Sequence, residues 1–395
     1  MEYRKFTAEG IFNGYELMSG ETVLITDTLG VVVDIVDKVD AGGDLEEYSG
    51  ILSPGFINCH CHLELSHLRG LIPEHTGLVD FILKVVNERH FEEAAILQAI
   101  EQAEQEMWQN GIVGVGDICN NSMTIAQKSK DRLRYHNFIE VSGFPPSIAN
   151  ERFNKAKILL DSFHSTFETK DATLTPHSPY SVSPELFTLI NDLRNNRLLS
   201  IHNQETIEED RFFVNGGGDF QRLYREMKID ISFFHPGGNS SLPTWLPYFN
   251  NHQSLILVHN VTTTVDDIRV MQSSTSHLST ETFLCLCPNA NLYISGVLPD
   301  VNLFIQENCK LVVGTDSLAS NHQLSILEEI KTLQKYFPGL ELTTLLQWAT
   351  INGARALQMD EVFGSFEKGK RPGVVLIEGC EGKHLSANVR VKRVV

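Results

Sequence analysis

From residue 54 onward, short apolar runs alternate with longer amphipathic ones, and no other feature of the chain constrains its fold as much. Eight of the apolar runs read as strands: GFINCHCH (55–62), GIVGVGDIC (111–119), NFIEVSG (137–143), ATLTPHSP (172–179), LLSIHNQE (198–205), SLILVHN (254–260), FLCLCPNA (283–290) and KLVVGTD (310–316). Between them lie segments with apolar residues at helical spacing, such as FEEAAILQAIEQAEQEMWQNG, which closes on a Gly. Strands that alternate with helices make a parallel sheet, and eight such units close a barrel. The expected class is α/β, a (β/α)8 TIM-type barrel. Each strand ends in polar or reactive residues, as the C-terminal rim of a barrel needs if it carries chemistry. After the eighth strand, LSILEEIKTLQKYFPG and ELTTLLQWATINGARALQM read as two helices.

The two ends of the chain have a different texture. YRKFTAEGIF, ETVLITD and GVVVDIVD are short β-type segments separated by Gly, Asp and Asn, which predicts a small antiparallel sheet. The tail, GSFEKGKRPGVVLIEG and then ANVRVKRVV, returns to strand composition and is expected to rejoin that sheet. This gives a small discontinuous β-sandwich domain from residues 1–53 plus 360–395, and a catalytic barrel over 54–359. The stretch 206–253 contains VNGGGDF and HPGGNSSLP but lacks the Lys-Ser/Thr ending of a phosphate-binding loop. It reads as a substrate-side excursion with one or two helices.

Composition narrows the function. The formal charge of −18 disfavours nucleic acid, whose recognition relies on clustered Lys and Arg. No apolar run reaches 18 residues, so no membrane span is expected. The start MEYRKFTAEGIFNGYELM lacks the long apolar stretch of a secretory signal, which points to the cytoplasm. Seven cysteines, an odd number, argue for reduced thiols rather than a disulfide framework. The expected partner is a small-molecule substrate, and a homodimer is compatible with this composition.

In GFINCHCH, alternation points His60 and His62 to one side of the strand and Cys59 and Cys61 to the other. A mixed Cys/His knuckle would therefore need a broken strand, and the cysteines are expected to pack under helices. Four further polar strand ends, His177, His202, His259 and Asp316, then become informative. Imidazoles with one carboxylate suit Zn²⁺ and are compatible with Fe²⁺ or Mn²⁺.

The pieces PGFINCHCH, PHSPYSVS, HNQE, LVHN, CPNANL, GTDSLASN and NGARAL followed by GSFEKGK resemble, in their order, the metal-dependent aminohydrolase branch of the amidohydrolase superfamily. The resemblance spans Pro54 to Gly369. It implies His60, His62, His202 and Asp316 as ligands of one divalent metal ion, with Zn²⁺ the leading candidate. It also implies Glu205 as a proton shuttle, His259 as the group orienting the attacking water, and Asp316 as its proton acceptor. Strand four has PHSP and no lysine to bridge two metals, so a mononuclear site is expected. Competing local readings make Glu205 a helix N-terminal acid and Asp316 an N-cap.

HCHLELS, HNQETIEE and GTDSLASN are most similar to the subgroup that deaminates adenine-bearing nucleosides, with Glu64, His177, Ser317 and Asn321 as candidate substrate contacts. The implied activity is hydrolysis of a non-peptide carbon–nitrogen bond, as deamination of an aminopurine nucleoside or similar amino-heterocycle. A hydrolase of a cyclic amide or imidazolone-type ring would use the same metal. A non-catalytic scaffold would be expected to lack these ligand positions.

Overall fold

The computed structural model describes residues 3–250, 253–275, 281–380, 382 and 384–395. Positions 1, 2, 381 and 383 of the terminal segments, and 251 and 252 at the end of the 206–253 excursion, lie outside the described residues.

Two four-stranded parallel sheets occupy the centre. Phe56–Cys61, Ile112–Cys119, Arg134–Val141 and Ala172–Pro176 form the first in chain order. Leu198–Asn203, Ser254–His259, Thr282–Leu286 and Lys310–Val313 form the second. These strands are apolar and buried on both faces, as parallel strands covered by helices must be. The sheets meet along both edges. On one side His202 N donates to His177 O at 3.0 Å and Ser200 N to Thr175 Oγ1 at 2.8 Å. On the other a parallel bridge joins Cys61 to Asp316, and the amides of Thr315 and Asp316 donate to His60 O at 3.1 and 3.0 Å.

Three expectations change. The third strand begins at Arg134, three residues before Asn137, because its polar start is neutralised: Arg134 pairs with Asp171 at 2.6 Å and His136 meets Thr173 Oγ1 at 2.9 Å. The run 341–359 is two helices, Leu342–Ala349 and Ile351–Ala356, rather than one. It breaks at Thr350, whose hydroxyl donates to Leu346 O at 2.6 Å. The 206–253 excursion holds three α-helices among the described residues, Ile207–Asn215, Phe220–Glu226 and Ser241–Trp245, where one or two were expected. Its glycines punctuate helices: Gly216, at φ 72°, caps the first in the left-handed conformation.

The terminal segments make two sheets, one of them with strands from both ends of the chain. One has the order Val32–Asp37, Thr22–Asp27, Tyr3–Thr7, Glu46–Glu47. The other runs Arg390–Arg393, Val374–Glu378, Ile51–Pro54, Gly10–Phe12, Leu17–Ser19. YRKFTAEGIF is split between them because Ala8 and Glu9 interrupt the pairing, and each half also gains a parallel neighbour. Phe6, Leu24, Ile11, Leu52 and Leu376, drawn from both sheets, share one core. Among the described residues no helix is long and apolar enough to cross a membrane.

Candidate active site

The C-terminal ends of the first, fifth, sixth and eighth central strands converge. His60 and His62 leave the first strand with Nε2 atoms 3.1 Å apart, and His62 Nε2 lies 3.3 Å from His202 Nε2 at the end of the fifth. Asp316 Oδ1 closes the group at 3.7 Å from His60 Nε2 and 3.6 Å from His62 Nε2. Cys59 and Cys61 are both buried but in different core clusters, Cys59 with its Sγ against the Gly353 carbonyl under the helix Ile351–Ala356; the strand's register shifts between Asn58 and Cys61, so the simple alternation expected from the sequence does not hold there.

Second partners aim these groups. His202 Nδ1 lies 2.8 Å from His177 O and donates there, which leaves its Nε2 lone pair facing the cluster. Ser320 Oγ donates to Asp316 Oδ2 at 2.7 Å and leaves Oδ1 toward the imidazoles. Burial pushes the His62 and His202 rings down, so both are neutral. Burial alone would raise the Asp316 carboxyl, yet His60, His62 and His259 hold it well below the usual range. The donor set is thus three imidazoles, two of them held toward the neutral form, and a carboxylate held toward its ionised form. The His60–His62 and His62–His202 nitrogen separations match the edge of about 3.3 Å expected for nitrogens around a tetrahedral metal. The residues fit a divalent cation.

Beside this group, Glu205 Oε1 lies 3.6 Å from His259 Nε2, which is buried without a hydrogen-bond partner. Asn291 Nδ2 sits 3.1 Å from His259 Nδ1, and donation there puts the ring proton on Nε2. Burial depresses His259 to about 3, so the ring is neutral. Burial, reinforced by the charges of Asp316 and Glu209, pushes Glu205 well above the ordinary carboxyl range. Glu205 precedes the helix at Ile207, and the helix after the eighth strand starts at Ile326 with Ser325 as its N-cap, so Asp316 caps no helix. Gln204, His259, Asn260 and Asp316 have φ of 47°, 76°, 58° and 58°. Left-handed backbone at non-glycine residues is strained, and here it collects where three strands deliver side chains to one point.

The remaining candidates surround this centre. Glu64 is buried in the turn after His62, and its Oε2 accepts the amides of Asn120 and Asn121 at 3.0 and 3.2 Å. The side chain of His177 is 27% exposed. Ser317 is buried with its hydroxyl 3.2 Å from Ser320 Oγ. Asn321 donates to Thr315 O at 2.9 Å and Glu329 Oε1 at 2.8 Å, a bracing set of partners.

Several supporting residues escaped the sequence reading. Glu140 ends the third strand beside His177; an acid at that strand end was a usable signal. Glu209 accepts the amides of Gln204 and Glu205 at 3.0 and 3.2 Å, and Trp245 Nε1 donates to Asn203 Oδ1 at 3.0 Å, so the 206–253 excursion braces the end of the fifth strand. Asp117 accepts the Leu63 amide at 2.8 Å and pairs with buried Lys128 at 2.6 Å. That pair left no trace in spacing.

A family model described as the amidohydrolase family matches residues 51–394. The chain belongs to the amidohydrolase family and is a hydrolase of carbon–nitrogen bonds other than peptide bonds. It is similar to an adenosine deaminase of Helicobacter pylori, at 28% identity over 90% of this chain and 88% of that one. It is also similar to an aminodeoxyfutalosine deaminase of a Nitratiruptor species, at 24% identity over 90% and 86%. Among solved structures, an aminofutalosine deaminase of Helicobacter pylori in complex with methylthio-coformycin superposes with a TM-score of 0.83 at 22% identity, covering 99% of this chain and 100% of that one. A zinc-bound adenosine deaminase from Xanthomonas campestris gives 0.72 at 20% identity, covering 97% and 86%. These superpositions establish the amidohydrolase fold.

Proposed function

We propose that this chain hydrolytically deaminates an amino-heterocycle, with an aminopurine nucleoside as the substrate class and one divalent cation, Zn²⁺, held by His60, His62, His202 and Asp316. The observation that carries the reading is the convergence of the imidazoles of His60, His62 and His202 and the carboxylate of Asp316 beside Glu205, which is buried 3.6 Å from His259. Relatives named as deaminases of adenosine, methylthioadenosine, adenosylhomocysteine and aminodeoxyfutalosine support it.

A divalent cation supplies a water acidic enough to act as nucleophile near neutral pH. Asp316 accepts a proton from the attacking water through its carboxylate. His259 donates from Nε2 to the oxygen as charge develops there. Glu205 protonates the ring nitrogen beside the attacked carbon as water adds; the proton taken up by Asp316 passes to the amino group, the carbon–nitrogen bond breaks, ammonia leaves, and the hydroxyl proton of the addition product returns to Glu205 as the carbonyl forms. Glu64, His177 and Ser317 face the substrate, and Asn321 braces the loop that carries Ser317.

The architecture proposed for this chemistry is a (β/α)8 barrel over 54–359 with a β-sandwich from 1–53 and 360–395. The hydrogen bonds at both sheet edges and the core shared by the terminal sheets support it. A cytoplasmic location is part of the same reading.

The test is ammonia release from a panel of aminopurine nucleosides and aminopterins by metal-loaded protein. Glu205→Gln is expected to lower kcat by about 10²–10⁴-fold while retaining the metal. Ring opening of a cyclic amide with no ammonia from any member of the panel would overturn deamination.

A further inference from the structure

Glu140 is buried at the end of the third strand, its side chain 6% exposed, and each of its oxygens serves a different part of the rim. Oε1 lies 2.8 Å from His177 Nδ1. Oε2 accepts from Asn120 Nδ2 at 2.9 Å, and Asn120 in turn donates its backbone amide to Glu64 Oε2 at 3.0 Å. A chain of polar contacts thus runs Glu64, Asn120, Glu140, His177, across the ends of the first four strands. The His177 ring packs against those of His202 and Tyr180 but makes no other side-chain hydrogen bond among the described residues, which leaves Nε2 for a ligand.

Two alternatives fail on geometry. Glu140, His177 and His202 are close enough to hold a metal of their own. However, His202 Nδ1 donates to His177 O at 2.8 Å, so that nitrogen carries a proton and cannot ligate. Glu140 is also not the group that aims His202: Oε1 is 3.6 Å from His202 Nδ1, longer than the carbonyl contact that fixes the ring.

We propose that Glu140 is a positioning residue for substrate recognition: its carboxylate fixes His177 with the proton on Nδ1 and Nε2 directed at the substrate, and through Asn120 holds His177 in register with Glu64. The inference rests on the reading of His177 and Glu64 as substrate-facing. An ionised carboxylate accepts and cannot donate, so it selects one face and one tautomer of the imidazole. A glutamine in its place presents an amide that can turn either way, and Asn120 then competes with His177 for the single acceptor.

Selective ¹⁵N-histidine labelling tests the contact without turnover, with His177 assigned by its disappearance in His177→Ala. The expected wild-type signal is a hydrogen-bonded Nδ1–H, lost in Glu140→Gln. Steady-state kinetics test the consequence: Glu140→Gln should lower kcat/KM about 10–100-fold, mainly through KM, with metal content equal to wild type. The double variant Glu140→Gln/His177→Ala should be no worse than His177→Ala alone, because residues acting through one another do not add. Glu140→Asp, which keeps the charge, should recover part of the loss.

Three results would overturn the proposal: an unchanged His177 signal in Glu140→Gln, additive losses in the double variant, or metal loss that accounts for the defect. Should Glu140→Gln fail to fold, Asn120→Ala gives the same decision, since it removes only the brace on Oε2 and should raise KM by a smaller factor with His177 still assigned to Nδ1–H; an unchanged KM refutes the coupling. If wild-type protein deaminates nothing while the histidine signal behaves as expected, the deaminase reading falls and the positioning of His177 stands.

Discussion

Asp316 combines three demands in one residue: a left-handed backbone at φ 58°, one oxygen held by Ser320, and the other turned to the imidazoles. Asp316→Asn preserves the shape and removes the charge. It should weaken metal binding by at least about a hundredfold while leaving the circular dichroism spectrum unchanged, a difference that elemental analysis after dialysis would reveal. His136 carries a different prediction. Burial holds its ring near a pKa of about 3, against about 6.5 when unfolded, so the unfolded chain binds more protons between those values. Stability should therefore be complete above about pH 6.5 and fall as the pH drops toward 3, by up to a few kcal/mol from this ring. Urea midpoints followed across that range should decline less steeply in His136→Gln; equal slopes would remove His136 from the account. Polar residues at strand ends were legible because the apolar runs that precede them mark the strands, and the family resemblance singled out His60, His62, His202 and Asp316 among them. Glu140, an acid near a strand end, offered the same signal and was passed over, whereas the Asp117–Lys128 pair was not legible because Lys128 comes from a helix after the strand that carries Asp117.

The seam between the first and eighth central strands controls the site at the level of elements. A Cβ on Gly314 would stand 2.8 Å from both the Cβ and the amide nitrogen of His60, and 3.0 Å from Cys285 Sγ. Gly314→Ala should therefore push His60 out of line, with a loss of about 1–3 kcal/mol of stability and reduced metal occupancy. Thermal unfolding and metal titration measure the two effects; full occupancy with lowered stability would mean that the seam flexes independently of the ligands. The eight strands were readable because buried parallel strands are continuous apolar runs. The misread elements share a cause in local charge or hydroxyls satisfied from elsewhere: Arg134 by Asp171, and Thr350 by the carbonyl four residues behind it. In the 206–253 excursion the glycines signalled looseness but act as stops between helices.

At the scale of the molecule, the strand Ile51–Pro54 belongs to a terminal sheet and is followed at once by Phe56–Cys61, which carries His60. Val374–Glu378 pairs with Ile51–Pro54, and Arg393 reaches back to the carbonyls of Trp108 and Ile112 at 3.2 and 2.7 Å. Removal of residues 374–395 would leave an open apolar edge one residue from the first central strand. The shortened chain should lose solubility and metal together, with no separate barrel transition in calorimetry; a soluble, metal-loaded fragment would show that the two parts fold independently.

The seven cysteines are all free, and Cys59, Cys61, Cys119, Cys285 and Cys287 are buried, while Cys309 and Cys380 are partly accessible. Cys59 and Cys61 flank His60 on the strand. Alkylation of a thiol is irreversible and needs an exposed thiolate, so each opening of that strand would leave a permanent mass tag next to His60. The chain thus carries its own recorder of local breathing. Added Zn²⁺ should slow tagging of Cys59 and Cys61 far more than tagging of Cys309 and Cys380, and peptide mass spectrometry over time would read out, position by position, how tightly the metal clamps the strand that presents it.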